Sequence, residues 1–141
     1  MREKLTNIFL LVVLVILDQV SKWLFYDLKF LNDFYFINWV LNKGISWWIT
    51  FFPYFFVVLL TLFFLVVIFY FWWNKKISNL VFVLLFAWAL GNLIDRIFLW
   101  GVRDFIDLHF WPVFNLADVY LTIGVLILIY KNLTKDKNHI K

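Results

Sequence analysis

Four apolar runs, each about as long as a bilayer-crossing helix, constrain this chain more than any other feature. They lie near residues 5–26, 53–73, 77–100 and 114–130. A helix needs roughly 20 residues to cross the hydrocarbon core. Lipid cannot satisfy open backbone groups, so helices are the expected form of such runs. The chain is 65% hydrophobic, where a soluble domain sits nearer half. Aromatics reach 24%, with 19 Phe and 9 Trp, of which interfacial belts explain a part. The expected fold class is an all-α polytopic membrane protein with four transmembrane helices, residues 1–141 forming one membrane-embedded domain.

Lysine and arginine give the direction. Arg2 and Lys4 precede the first run, Lys75 and Lys76 fill the turn between the second and third, and Lys131, Lys135, Lys137 and Lys141 follow the fourth. An even number of spans puts all of these on one side, which the positive-inside rule makes cytoplasmic. Asp27, Asp33, Asp104 and Asp107 then fall on the outer side. Residues 1–26 also have the basic start and apolar middle of a secretory signal peptide. The long run, the presence of Asp18 and Lys22 and the lack of a small-x-small site favour a retained span. Residues 27–52, rich in aromatic and β-branched side chains with NKG as a turn signal, suggest a small sheet on the membrane surface. The DFID alternation within residues 101–113 suits a short strand or an amphipathic interfacial segment. The polar tail KNLTKDKNHIK is expected to fray.

Several function classes drop out. There are no cysteines, so thiolate catalysis and cysteine metal sites are excluded. Two histidines are too few for a histidine-rich metal centre, and no cofactor is implied. The net charge of +4 reads as a topology signal rather than a nucleic-acid surface.

The charges inside the spans matter most, because each is costly and by default marks function. At 1.5 Å per residue, Asp95 lies about 25 Å from the cytoplasmic end of its span, Asp118 about 20 Å and Asp18 about 18 to 20 Å. All three share one level in the outer part of the bilayer. Asn92 lies three residues before Asp95 and four before Arg96, and Asn115 lies three before Asp118, so each set shares a helix face. Asp18 and Lys22 are four apart and placed to neutralise each other. Arg96 also suits an interfacial anchor. Asp95 and Asp118 have no basic residue at helical spacing. If their helices are neighbours, the two carboxylates can share one site, where one keeps a proton. That supplies an acid and a base for aspartic peptide hydrolysis. The plainer alternative is two separate solvated caps near helix ends.

Five pieces in order, DQVSK at 18–22, NKG at 42–44, GNLIDR at 91–96, VRDF at 102–105 and FNLAD at 114–118, resemble bacterial lipoprotein signal peptidase, also called signal peptidase II. The resemblance implies an aspartic endopeptidase of the bacterial cytoplasmic membrane. It would be multi-pass and monomeric, with both termini cytoplasmic and its site facing outward. It would cut a prolipoprotein just before a diacylglyceryl-modified cysteine, working in contact with membrane lipid and without metal or cofactor. By that likeness Asp95 and Asp118 are the catalytic pair. Asn42, Gly44, Asn92, Arg96 and Asn115 match positions that orient substrate or support the pair, while Asp18 and Lys22 match a structural or supporting motif. A small extracytoplasmic β-like cradle would correspond to residues 27–52. Two places depart from the pattern: Ile45, Ser46 and Trp47 after the NKG turn, and Ala87, Trp88, Ala89 and Leu90 before Gly91. Bulk at Trp88 bears on close helix packing, which small residues favour.

Two other classes compete. A small transporter or proton-relay protein also uses membrane aspartates and arginines, though inverted repeats or broken helices would be expected of it. An assembly protein would use the aspartates to bind partner helices, and leaves the repeated Asn-x-x-Asp spacing unexplained.

Overall fold

The computed structural model describes residues 2–31, 33–44 and 54–139. The departures at Ile45, Ser46 and Trp47 lie outside the described residues. Among the described residues, four helices are long and apolar enough to cross a membrane. Helix α1 runs over Arg2–Lys22 and continues as a π-helical turn over Trp23–Asp27. Helices α2, α3 and α4 cover Tyr54–Trp73, Asn79–Leu99 and Leu116–His139. Two short strands, β1 (Ile37–Asn42) and β2 (Val102–Ile106), pair antiparallel at one end of the bundle. The DFID alternation is therefore a strand, and the sheet joins both connecting segments rather than forming within residues 27–52 alone. The fourth helix starts two residues later than its apolar run, because Phe114 bridges back to Ile106 at the sheet's edge.

Helix α3 is the hub. It packs against α1, α2 and α4 and buries side chains from Val81 to Asp95. The contact faces carry small residues: Ala87, Ala89, Gly91 and Ala117 are buried. Without a hydrophobic driving force between helices in lipid, close backbone approach of this kind holds a bundle together. Ile68, Val81, Leu85 and Ala89 form one core cluster, and Leu84, Ala87, Ala117 and Tyr120 form another. The outer faces expose large apolar side chains such as Phe9, Phe63, Val66 and Leu126, as lipid-facing helices do. Trp88 does not obstruct this packing. The residues on either side of it make the close approach, while its own ring lies half-buried against Phe64.

Gly91 shows how tight the bundle is. A β-carbon there would lie 2.6 Å from Asp18 Oδ2 and 3.6 Å from the Ala117 β-carbon. Gly91→Ala should therefore lower the thermal unfolding midpoint in detergent, by the equivalent of about 1–3 kcal/mol for overpacking. Gly124→Ala should cost less, since its added carbon meets the movable end of Leu85.

Candidate active site

Buried polar side chains collect at the sheet end of the bundle in two groups. The first is ionic. Asp18 and Lys22, one turn apart on α1, are fully buried and paired at 2.8 Å. Asp18 turns its other oxygen to the Ala117 N–H at 3.0 Å, and so caps the first turn of α4 from a neighbouring helix. Lys22 Nζ also donates to Asn92 Oδ1 at 3.0 Å and lies 3.5 Å from Asp95 Oδ2. Asp95, at 0% exposure, takes three bonds from Arg103: the backbone N–H at 2.9 Å, Nε at 3.2 Å and Nη2 at 2.9 Å. Arg103 further pairs with Asp27 at the end of the π-helical turn and donates to Gln19 Oε1 at 3.0 Å.

Asp95, expected from the family likeness and from its depth to pair with Asp118, has Lys22 and Arg103 as its partners. It shares a helix face with Asn92, but Lys22 of α1 and Arg103 of β2 occupy both of its oxygens. It is absent from the cavity that Asp118 lines. The cations paired with Asp95 here come from other elements, so helical spacing within α3 gave no sign of them.

The second group surrounds a cavity of about 290 Å³ bordered by Asn42, Trp88, Asn92, Arg96, Asp104 and Asp118. The carboxylate facing Asp118 here is Asp104. Successive side chains of a strand point to opposite faces, so Arg103 turns to the ionic group and Asp104 to the cavity. Asp104 is 2% exposed. Asn42 Nδ2 donates to one of its oxygens at 3.1 Å and Asn115 Nδ2 to the other at 2.6 Å. Gly44 contributes through its backbone: its N–H donates to Asn42 Oδ1 at 3.1 Å, a local turn that holds the amide toward Asp104.

Asn115 and Asp118 form a capping box at the start of α4. The Asp118 N–H donates to Asn115 Oδ1, and the Asn115 N–H donates to Asp118 Oδ2, both at 3.2 Å. The helix-cap reading of this spacing is therefore real, yet Asp118 is not solvated away from the rest. Its Oδ1 accepts from Asn92 Nδ2 at 3.2 Å and from Trp88 Nε1 at 3.1 Å. Asn115 touches both carboxylates, through its backbone on one side and its side chain on the other. Burial, and then the charge of Asp118, push the Asp104 carboxyl up to about 7, against the lowering effect of the two amide donors.

Sequence reasoning placed Asp104 among the outer loop aspartates. The signal that could have found it was the V-R-D-F alternation, which sets Asp104 and Arg103 on opposite faces. Gln19 and Trp88 were also not anticipated as partners in the polar network.

A family model described as signal peptidase (SPase) II matches residues 10–134. The chain belongs to the signal peptidase II family. Curated relatives of this peptidase family bear the name lipoprotein signal peptidase. That of Rickettsia africae is 37% identical over 141 aligned residues, covering 85% of this chain and 69% of its own length. That of Thermodesulfovibrio yellowstonii is 49% identical over 59 residues, and the match spans 40% of that relative's length. Among solved structures, a bacterial membrane enzyme determined by the in meso method at 2.3 Å is 34% identical with a TM-score of 0.77, covering 96% of this chain and 92% of that one.

In this signal peptidase II chain, Asp95 belongs to the buried ionic group. Asp95→Ala, which strands Arg103 and Lys22 inside the bundle, should cost about 3–5 kcal/mol. A depressed unfolding midpoint in detergent, larger than that of Asp104→Ala, is the expected result.

Proposed function

We propose that this chain is an active lipoprotein signal peptidase in which Asp104 and Asp118, not Asp95 and Asp118, form the catalytic pair. The observation that carries this reading is the shared cavity, where two carboxylates from β2 and α4 are joined through one asparagine. The substrate is a prolipoprotein whose cysteine bears a diacylglyceryl group, cut just before that cysteine. The protein is a monomer of the bacterial cytoplasmic membrane, with both termini cytoplasmic and the sheet end outward. That geometry lets the acyl chains stay in lipid while the peptide bond reaches the cavity.

The division of labour follows from environment. Asp104, raised to about 7, holds its proton in roughly half of the molecules at neutral pH, against almost none for an ordinary aspartate, and acts as the acid. Asp118 acts as the base. It takes a proton from water, whose oxygen bonds to the scissile carbonyl carbon, while Asp104 protonates the carbonyl oxygen. The resulting gem-diol returns a proton to Asp104 as the carbonyl re-forms. The C–N bond breaks, and Asp118 passes its proton to the departing nitrogen. Asn42 and Asn115 orient the acid, Asn92 orients the base, and Arg96 borders the cavity. Asp18 and Lys22 support the pair indirectly by fixing α1 against α3 and the start of α4. A proton relay is less well supported. Among the described residues, the buried charges lie in the sheet-side half of the bundle rather than along a path through it.

The test is a gel-shift cleavage assay with purified protein and a diacylglyceryl-modified prolipoprotein. Asp104→Asn and Asp118→Asn should each lose more than about 10³-fold in rate while keeping the parent's unfolding midpoint. Asp95→Asn, in its folded fraction, should retain measurable cleavage. Near-parent cleavage by Asp104→Asn would sink the pair. The pH profile offers a second check. Asp104 must hold a proton to act as the acid, so kcat/KM should fall as pH rises through about 7.

A further inference from the structure

We infer that Trp88 is a positioning residue for the proton-accepting carboxylate: its indole N–H, with the Asn92 amide one turn on, fixes which Asp118 oxygen faces the reacting water. The inference rests on the reading of Asp118 as the base. It concerns a position where the sequence departs from the expected family pattern, and where bulk alone suggested only a packing problem.

The geometry is specific. Trp88 and Asn92 are four residues apart on α3 and so share a face. Both donate to the same oxygen, Asp118 Oδ1, at 3.1 and 3.2 Å. The other oxygen accepts from the Asn115 N–H at 3.2 Å, a bond of the capping box. Oδ1 thus has both of its lone-pair directions occupied, while Oδ2 keeps one open. The open one is where the water's proton goes. Neither the indole N–H nor the amide NH2 can accept, so Oδ1 keeps both bonds only while it carries no proton. This suits a base rather than an acid. Asp104 differs in number: its two bonds come from amide side chains, one to each oxygen, so each oxygen keeps a lone-pair direction open for a proton.

The ring is placed independently of the carboxylate. It packs edge-on to Phe64 of α2, with centroids 6.1 Å apart, and borders both core clusters. The close approach of α3 to its neighbours falls to Ala87 and Ala89, both fully buried. The indole can therefore hold its N–H in a preset direction, which is what a supporting group must do for a reacting one. Other groups bear on Asp118 from each side. Asp104 faces it from β2, Arg96 borders the same cavity on α3, and Lys22 of α1 reaches it only through Asn92.

The test separates the N–H from the ring. Site-specific replacement of Trp88 by 3-benzothienylalanine keeps the bicyclic shape and deletes only the donor. Replacement by 7-azatryptophan keeps both. The benzothienyl protein should show kcat lowered on the order of 10-fold, KM within about 2-fold of the parent and an unchanged unfolding midpoint. The azatryptophan protein should keep parent kcat. Parent kcat in the benzothienyl protein would reduce Trp88 to packing, and a raised KM with unchanged kcat would make it a substrate wall. Either result overturns the inference. Asp118→Asn run alongside distinguishes a deeper failure: if it still cleaves, the reading of Asp118 itself is wrong, and the role of Trp88 falls with it.

Discussion

The bidentate clamp of Arg103 on Asp95 is the contact on which the rest of the site depends. It ties a strand that lies outside the spans to the sheet end of the central helix, through the backbone as well as the side chain. A charge buried in a membrane protein is tolerable only when it is paired and its remaining bonds are satisfied. Here two cations, Lys22 and Arg103, are shared among Asp18, Asp27 and Asp95. The cluster joins α1, the π-helical turn, α3 and β2, and reaches α4 through the Ala117 N–H. Every element that carries a cavity residue, except β1, is therefore held by it. Strand β1 is held one step further on, by pairing with β2.

The same arrangement sorts the carboxylates by chemistry. Those of the cluster face ammonium and guanidinium groups. Asp104 and Asp118 face amides, backbone N–H groups and an indole in the bonds described above. Neutral donors orient a carboxylate without cancelling its charge, so two such groups in one buried cavity still repel. A proton is the cheapest way to relieve that repulsion. The high position of Asp104 follows from its burial in the strand first and from its neighbour second.

Much of this was legible in the sequence. Hydropathy alone marked four spans, and the shared depth of Asp18, Asp95 and Asp118 indicated a polar layer at one level. Asn-x-x-Asp pointed to the two helices that border the cavity. Spacing along a helix reports which residues share a face, however, and not what lies opposite. Asn92 reaches Asp118 across the helix interface, while Asp95, three residues on, is claimed by an arginine eight residues away in a strand. A helical period cannot reveal such a partner. Asp104 was hidden for the complementary reason. It lies between spans, where an aspartate is usually solvated, and only the covering of β2 by β1, α3 and the start of α4 makes it a buried group. The VRDF piece carried the family resemblance without showing that its aspartate, rather than that of GNLIDR, turns to the cavity.

On the proposed reading, the capping box lets structure and chemistry coincide at Asp118. A carboxylate in the first turn of a helix is favoured by the open N–H groups and the helix dipole. One of its oxygens is committed to that role and holds the side chain still. The other is turned toward α3, where Asn92 and Trp88 meet it. The position of Asp118 is then set by where α4 begins, and α4 begins where Asp18 caps Ala117. Asp18 is in turn held by Lys22, whose second carboxylate contact is Asp95. The chain of contacts from the Asp95–Arg103 clamp therefore ends on Asp118 through α1 and α4, just as it ends on Asp104 through the strand. One ionic cluster fixes both carboxylates by separate routes, and Asn115, bonded to both, joins those routes at the cavity.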